Sequence, residues 1–166
     1  MELLEKLRND SRLTFCAKCE ENGVDVEVVA GVRYVIISPE AYYIRAKPEE
    51  RPKMVDCFFV QHCDSNSYHF TIVELKNTRI KAQEIIDKFQ QCIDRFMTKD
   101  FPEYFNRDCS ITLYLVSQVT LEWEEEKLVG GTYTNRMRSL MNNTFSFRGI
   151  PLNIQPKNPA PLIQPC

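Results

Sequence analysis

Between two apolar runs, FTIVELKN at 70–77 and CSITLYLVSQ at 109–118, apolar residues recur at spacings of three and four. Ile80, Ala82, Ile85, Ile86, Phe89, Cys92, Ile93, Phe96 and Met97 share one stripe of a long amphipathic helix. A strand, a helix of that length and a second strand constrain the chain strongly. The two strands should lie parallel, joined by a right-handed crossover that buries the helix stripe against the sheet. The run at 109–118 is almost continuously apolar, as a central strand covered on both faces must be.

Upstream, MVDCFFVQ at 54–61 and FTIVELKN flank the polar stretch HCDSNSYH. This pattern predicts a β-hairpin. Pairing Val60 with Phe70 keeps apolar partners opposite each other, so that paired positions sum to 130 and residues 61 to 69 form the loop. In that register Phe58 faces Ile72, and Asp56 faces Glu74. Strand side chains alternate, so Phe70, Ile72, Glu74 and Lys76 share a face. Two facing carboxylates repel, and a divalent cation would compensate them. Mg²⁺ favours one or two carboxylates plus water and phosphate oxygens. A lysine beside them suits the orientation of a metal-bound water or the stabilisation of phosphate charge. The bland alternative is an exposed charge pair on an edge strand, with Asp56 ending a turn.

Residues 1 to 21 are expected to be helical with a break near Asp10 and Ser11, ending at Asn22-Gly23. Val24 to Val29 and VRYVIIS after Gly31 are expected strands. Pro39, Pro48 and Pro52 mark an exposed connection in which Tyr42, Tyr43 and Ile44 form a short strand. Asn77 or Thr78 is expected to cap the long helix. LEWEEEKL at 121–128 is a short helix or a charged loop, and Trp123 within it is a surface residue. NRMRSLMNN is a helix, and Asn135 to Arg138 at its start are candidates for phosphate contact. TFSFRGIPLNI supplies one or two edge strands, because Pro151 argues against a central one. The domain is expected to span 1–154, with a Pro-rich, extended or mobile tail at 155–166.

The composition fits one domain of 166 residues with a sizeable core. The formal charge of -2 argues against a general electrostatic nucleic-acid binder but not against an enzyme with a local patch. No apolar run is long enough to span a membrane. The first residues lack the pattern of a signal peptide, so the expected location is cytoplasmic, or nuclear in a eukaryote. The seven cysteines are an odd count, which favours free thiols over a disulfide framework. Cys57, Cys92 and Cys109 read as small core residues. Cys16 and Cys19 form a CxxC that His62 and Cys63 could complete as a zinc site, although a second CxxC is missing. His62 and His69 read as exposed loop residues.

KMVDCFFV, a polar loop, FTIVELKN, a helix and an apolar strand together resemble the core of the PD-(D/E)xK nuclease superfamily, over about residues 30 to 118. The fold that this resemblance implies is α/β, a mixed central sheet flanked by helices with a restriction-endonuclease-like core. The implied activity is metal-dependent hydrolysis of phosphodiester bonds. Asp56 and Glu74 would bind Mg²⁺ or Mn²⁺ with the Leu75 carbonyl, and Lys76 would be the catalytic lysine. Some members add a glutamate from the first helix, for which Glu2, Glu5, Glu20 and Glu21 are eligible. Some use a glutamine on the helix after the lysine, here Gln83, Gln90 or Gln91. The proline usual before the aspartate is Val55. The implied partner is nucleic acid, DNA favoured over RNA, with Arg51, Lys53, Arg79 and Lys81 as a local basic rim. A homodimer, with residues 119 to 154 as extra surface, would supply two active sites for a duplex. The alternatives are a non-catalytic nucleic-acid- or protein-binding module on the same fold, and a zinc-stabilised interaction protein.

Overall fold

A computed structural model describes residues 2–64, 67–77, 80–118 and 135–166. The hairpin register is the one read from the sequence. Strands β4 (Cys57–His62) and β5 (Tyr68–Lys76) pair antiparallel, with Phe58 opposite Ile72 and Val60 opposite Phe70. The ladder runs further than expected, to His62 opposite Tyr68, so the connection is residues 63–67 rather than 61–69. His62 and His69 therefore lie on strands and are partly buried, not in an exposed loop.

Strand β6 (Cys109–Ser117) pairs with β5 in parallel over its whole length, as a crossover connection requires. The intervening helix is α3 (Ala82–Gln91), which continues as a wider π-helical segment at Cys92–Asp100 and is followed by the short α4 (Pro102–Phe105). It opens at Lys81, which makes no side-chain cap bond, so neither Asn77 nor Thr78 is the cap. Phe101 N–H donates to the Phe96 carbonyl at 3.0 Å, closing the wide turn. The whole apolar stripe still faces the sheet.

Six strands form the main sheet in the order β3-β4-β5-β6-β8-β7, with β3 at Arg33–Ile37, β7 at Thr144–Phe147 and β8 at Ile150–Lys157. The sheet is mixed, and the class is α/β as expected. Among the described residues the helices gather on one face. Leu3, Leu4 and Leu7 of α1 (Leu3–Arg8), Tyr42 and Tyr43 of α2 (Pro39–Ala46), the α3 stripe, and Met137 and Leu140 of α5 (Asn135–Asn142) share one core with Phe58, Phe70, Ile72 and Leu115. Phe58 and Phe105 each make ring contact with Phe70 and Phe96, and with each other, at its centre. Each such buried ring contributes roughly 1.5–3 kcal/mol. The opposite face is covered by a small sheet in the order β1-β2-β9 (Cys19–Glu21, Val24–Val28, Leu162–Ile163), which packs Val24, Val26 and Ile163 on Cys57, Phe59, Val73 and Leu75.

Several local expectations are corrected. Only Leu3–Arg8 of the first 21 residues is helical. Asn22-Gly23 is the turn of the β1-β2 hairpin, with φ of 48° and 80° at the two residues. That is the left-handed pair that a two-residue hairpin demands. Tyr42, Tyr43 and Ile44 are helical, because Ser38 caps α2 by accepting from Ala41 N–H at 3.2 Å and Pro39 opens it. Strand β8 lies inside the sheet, not at its edge. Pro151 is tolerated because β7 pairs with residues 150–153 while β6 pairs only from Ile154 onward. Each half of β8 thus has one neighbour, which leaves the side of each proline nitrogen open. Residues 155–157 extend that strand, and β9 pairs parallel with β2, so the segment after 154 is extended but built into both sheets.

Disulfides replace the expected free thiols at four positions. Cys19 is bonded to Cys57 and Cys63 to Cys166, leaving Cys16, Cys92 and Cys109 free. The pairs are remote in sequence, at separations of 38 and 103 residues, which spacing alone could not reveal. The zinc set Cys16, Cys19, His62 and Cys63 is not formed, since two of its thiols are consumed.

Candidate active site at the end of the β4–β5 hairpin

The antiparallel ladder ends at Cys57 opposite Val73. One residue beyond, Asp56 stands in for the missing strand. Its Oδ2 accepts from Leu75 N–H at 2.7 Å, satisfying a donor that β4 no longer reaches. This fixes Asp56 beside the end of β5, across from Glu74, as the register demands.

Glu74 faces the helical core and is fully buried. The strand that carries it is interior, between β4 and β6. Both facts rule out the exposed edge-strand charge pair. Lys88 of α3 donates from Nζ to Glu74 Oε1 at 2.7 Å, and Lys76 Nζ lies 3.3 Å from the same oxygen. Lys76 also lies 3.8 Å from Glu84 Oε1, one helical turn before Lys88. Glu74 Oε2 is buried without a hydrogen-bond partner. Burial, and then the negative charge of Asp56, push the Glu74 carboxyl up to about 8 despite the two lysines. Burial pulls the Lys88 ammonium down, but the Glu74 carboxylate outweighs it and leaves its pKa raised.

The orphaned oxygen bears directly on whether a cation fits. An unpaired buried carboxylate oxygen costs free energy that a ligand would return. Asp56 is near enough to raise the proton affinity of Glu74, so the two carboxylates oppose each other as the sequence implies. The donors are hard carboxylate oxygens, the kind that Mg²⁺ or Mn²⁺ takes. Among the described residues no group of three or more His, Cys, Asp or Glu side chains is arranged to hold a metal ion.

The other candidates lie elsewhere. Leu3 N–H donates to the Tyr68 hydroxyl, which seats α1 at the far end of β5. Six residues of strand separate Tyr68 from Glu74, about 20 Å at 3.3 Å per residue. Glu2 pairs there with Arg33 and His62, and Glu5 is exposed on the same helix. Glu20 and Glu21 are exposed on β1, part of the small sheet on the opposite face from Glu74. None of the four reaches the pair of carboxylates. Gln90 donates to Asp94 at 2.8 Å and Gln83 to Asp87 at 2.8 Å, both as surface pairs one turn apart. Gln90 sits two residues past Lys88, about 200° around the helix, so it points away from Glu74. Gln91 is partly buried further along α3. Arg51, Lys53 and Lys81 are exposed at the approaches to β4 and α3, as a rim requires. Arg79 and Trp123, and the stretch LEWEEEKL, lie outside the described residues. Arg138 is exposed on α5.

Lys88 is the residue that the motif missed. Its signal was available: it falls three residues after Ile85 and four before Cys92, at the border of the apolar stripe. A lysine that close to a buried stripe needs a buried acid. No known protein family, curated protein or solved structure matches the chain.

Proposed function

We propose that the chain is a metal-dependent nuclease that hydrolyses phosphodiester bonds, with DNA favoured as substrate. In this reading β4, β5, α3 and β6 form a restriction-endonuclease-like core. The observation that carries it is the pairing of Asp56 with a fully buried Glu74 whose Oε2 has no partner, beside the Lys76 ammonium. Asp56 and Glu74, with the Leu75 carbonyl, would hold Mg²⁺ or Mn²⁺. When bound, the ion would supply Lewis-acid activation of the scissile phosphate and of water. Lys76 would orient the attacking water or offset charge on the phosphate, and Arg51, Lys53 and Lys81 would contact the backbone on either side.

A second reading is a non-catalytic nucleic-acid- or protein-binding module. Lys88 favours it, because Glu74 already has a close cationic partner. The two readings part on one experiment. The protein is incubated with plasmid DNA, single-stranded DNA and RNA in Mg²⁺, in Mn²⁺ and in chelator. The nuclease cleaves only with metal and loses activity in Asp56→Ala and Glu74→Ala. Retained binding without cleavage under every condition establishes the module instead.

A further inference from the structure

Both lysines meet the same oxygen of Glu74, and the other oxygen meets nothing. Lys88 approaches Oε1 to 2.7 Å from α3, and Lys76 approaches it to 3.3 Å from β5. Glu74 Oε2 is buried and unpartnered. Lys88 is itself largely enclosed, its side chain 14% exposed, whereas that of Lys76 is 24% exposed. Lys88 is anchored by the helix whose neighbouring residue, Phe89, and preceding turn, at Ile85, are fully buried in the core. Its reach toward Glu74 is therefore set by the packing of α3 on the sheet.

We infer that Lys88 is a positioning residue: it grips Glu74 by Oε1 and so presents Oε2 to the cation, leaving Lys76 for the phosphate and water. The inference rests on the nuclease reading. Its physical basis is that a ligating carboxylate needs a fixed orientation, which an outer hydrogen-bond partner provides. A carboxylate in a core can otherwise turn about its terminal torsion, and a flexible partner such as Lys76 would not hold it. Two lysines of the same charge thus divide the work by depth. The deeper one sets geometry, and the shallower one faces substrate.

The test is Mn²⁺ affinity, measured by electron paramagnetic resonance of free Mn²⁺ and by calorimetry, with no nucleic acid present. The proteins compared are the parent, Lys88→Gln, Lys88→Arg, Lys76→Gln and Glu74→Ala, each checked for folding by circular dichroism. Loss of an outer partner typically weakens metal binding 10- to 100-fold. Lys88→Gln is expected to show that loss, Lys88→Arg to recover most of it, and Lys76→Gln to bind within about threefold of the parent. If Lys88→Gln binds Mn²⁺ as tightly as the parent, or more tightly, Lys88 is a bystander or a competing cation and the inference fails while the nuclease reading stands. If the parent itself binds no Mn²⁺, both fail together. Should Lys88→Gln not fold, Lys88→Arg decides alone: affinity reduced as far as in Glu74→Ala overturns the assignment, because the grip on Oε1 survives in the arginine.

Discussion

Glu74 sits where water cannot reach it, and its titration should be visible in the stability of the metal-free protein. Its folded pKa, about 8, lies above the ordinary value of 4.5. The native state therefore holds this proton more tightly than the unfolded chain does. The resulting stabilisation is complete below about 4.5 and is lost as pH rises to about 8. His69, lowered from 6.5 by burial, acts in the opposite sense, adding stability as pH rises towards 6.5. Asp10, held down to about 2 chiefly by its bond to Arg12, matters only in acid, and the free cysteines are raised above 9. The interval from 6.5 to 8 thus belongs to Glu74. Chelated parent protein is expected to lose melting temperature across it, and Glu74→Gln to flatten that slope. A parent whose melting temperature is level from pH 6.5 to 8 contradicts the burial argument. Lys76 calls for a kinetic test. Removing one preorganised charge-stabilising group typically costs about 10² to 10³ in rate. Lys76→Ala should lower single-turnover cleavage by that factor, with Mn²⁺ affinity and melting temperature close to those of the parent. Undiminished cleavage removes Lys76 from the chemistry.

Elements differ in how openly the sequence announces them. The β4–β5 register followed from putting Phe58 against Ile72, because a one-residue slip would turn every side chain of the face to the other side of the sheet. The α3 stripe was equally legible. The α2 segment was not, since Tyr-Tyr-Ile favours strands by composition, while the Ser38-Pro39 start that makes it helical is a cue of two residues. Asp56 and Glu74 could be placed from pattern alone; Lys88 could be placed at the border of the stripe but not paired, because its partner lies 14 residues away on another element. The disulfides were the least legible, being contacts between distant elements. Cys19–Cys57 fastens the small sheet to β4, and Cys63–Cys166 fastens the hairpin connection to the segment after β9. They carry a prediction. Alkylation of denatured, unreduced protein should modify Cys16, Cys92 and Cys109 only. Cys63→Ser should cost about 2–5 kcal/mol, as native bridges closing long loops do. The loss should be felt first where β9 docks. Asp25, Glu27 and Val29 donate their N–H groups to Pro159, Pro161 and Ile163, and their hydrogen exchange should accelerate before that of β5. Uniform exchange across both sheets would mean that the bridge does not hold β9 in place.

At the scale of the whole molecule, three layers position one site. Helices cover the face that bears Glu74, the small sheet covers the other, and the carboxylates stand at the end of the β4–β5 ladder. No helix among the described residues is long and apolar enough to cross a membrane. One chain contributes one set of Asp56, Glu74 and Lys76, and that number sets what the proposed enzyme can do to a duplex. Antiparallel strands present their scissile phosphates related by a two-fold axis, so concerted double-strand cleavage needs a second site in the matching orientation. A symmetric dimer meets that need with a single self-complementary surface. If the protein is such a dimer, sedimentation at working concentration gives twice the mass of one chain, and supercoiled plasmid passes to the linear form with little nicked intermediate. A mixed dimer of parent and Glu74→Ala chains should then nick one strand only, since each site acts on its own strand. A strict monomer at every concentration, accumulating nicked circles, would reassign the activity to nicking or to single-stranded substrate, with the site itself unchanged.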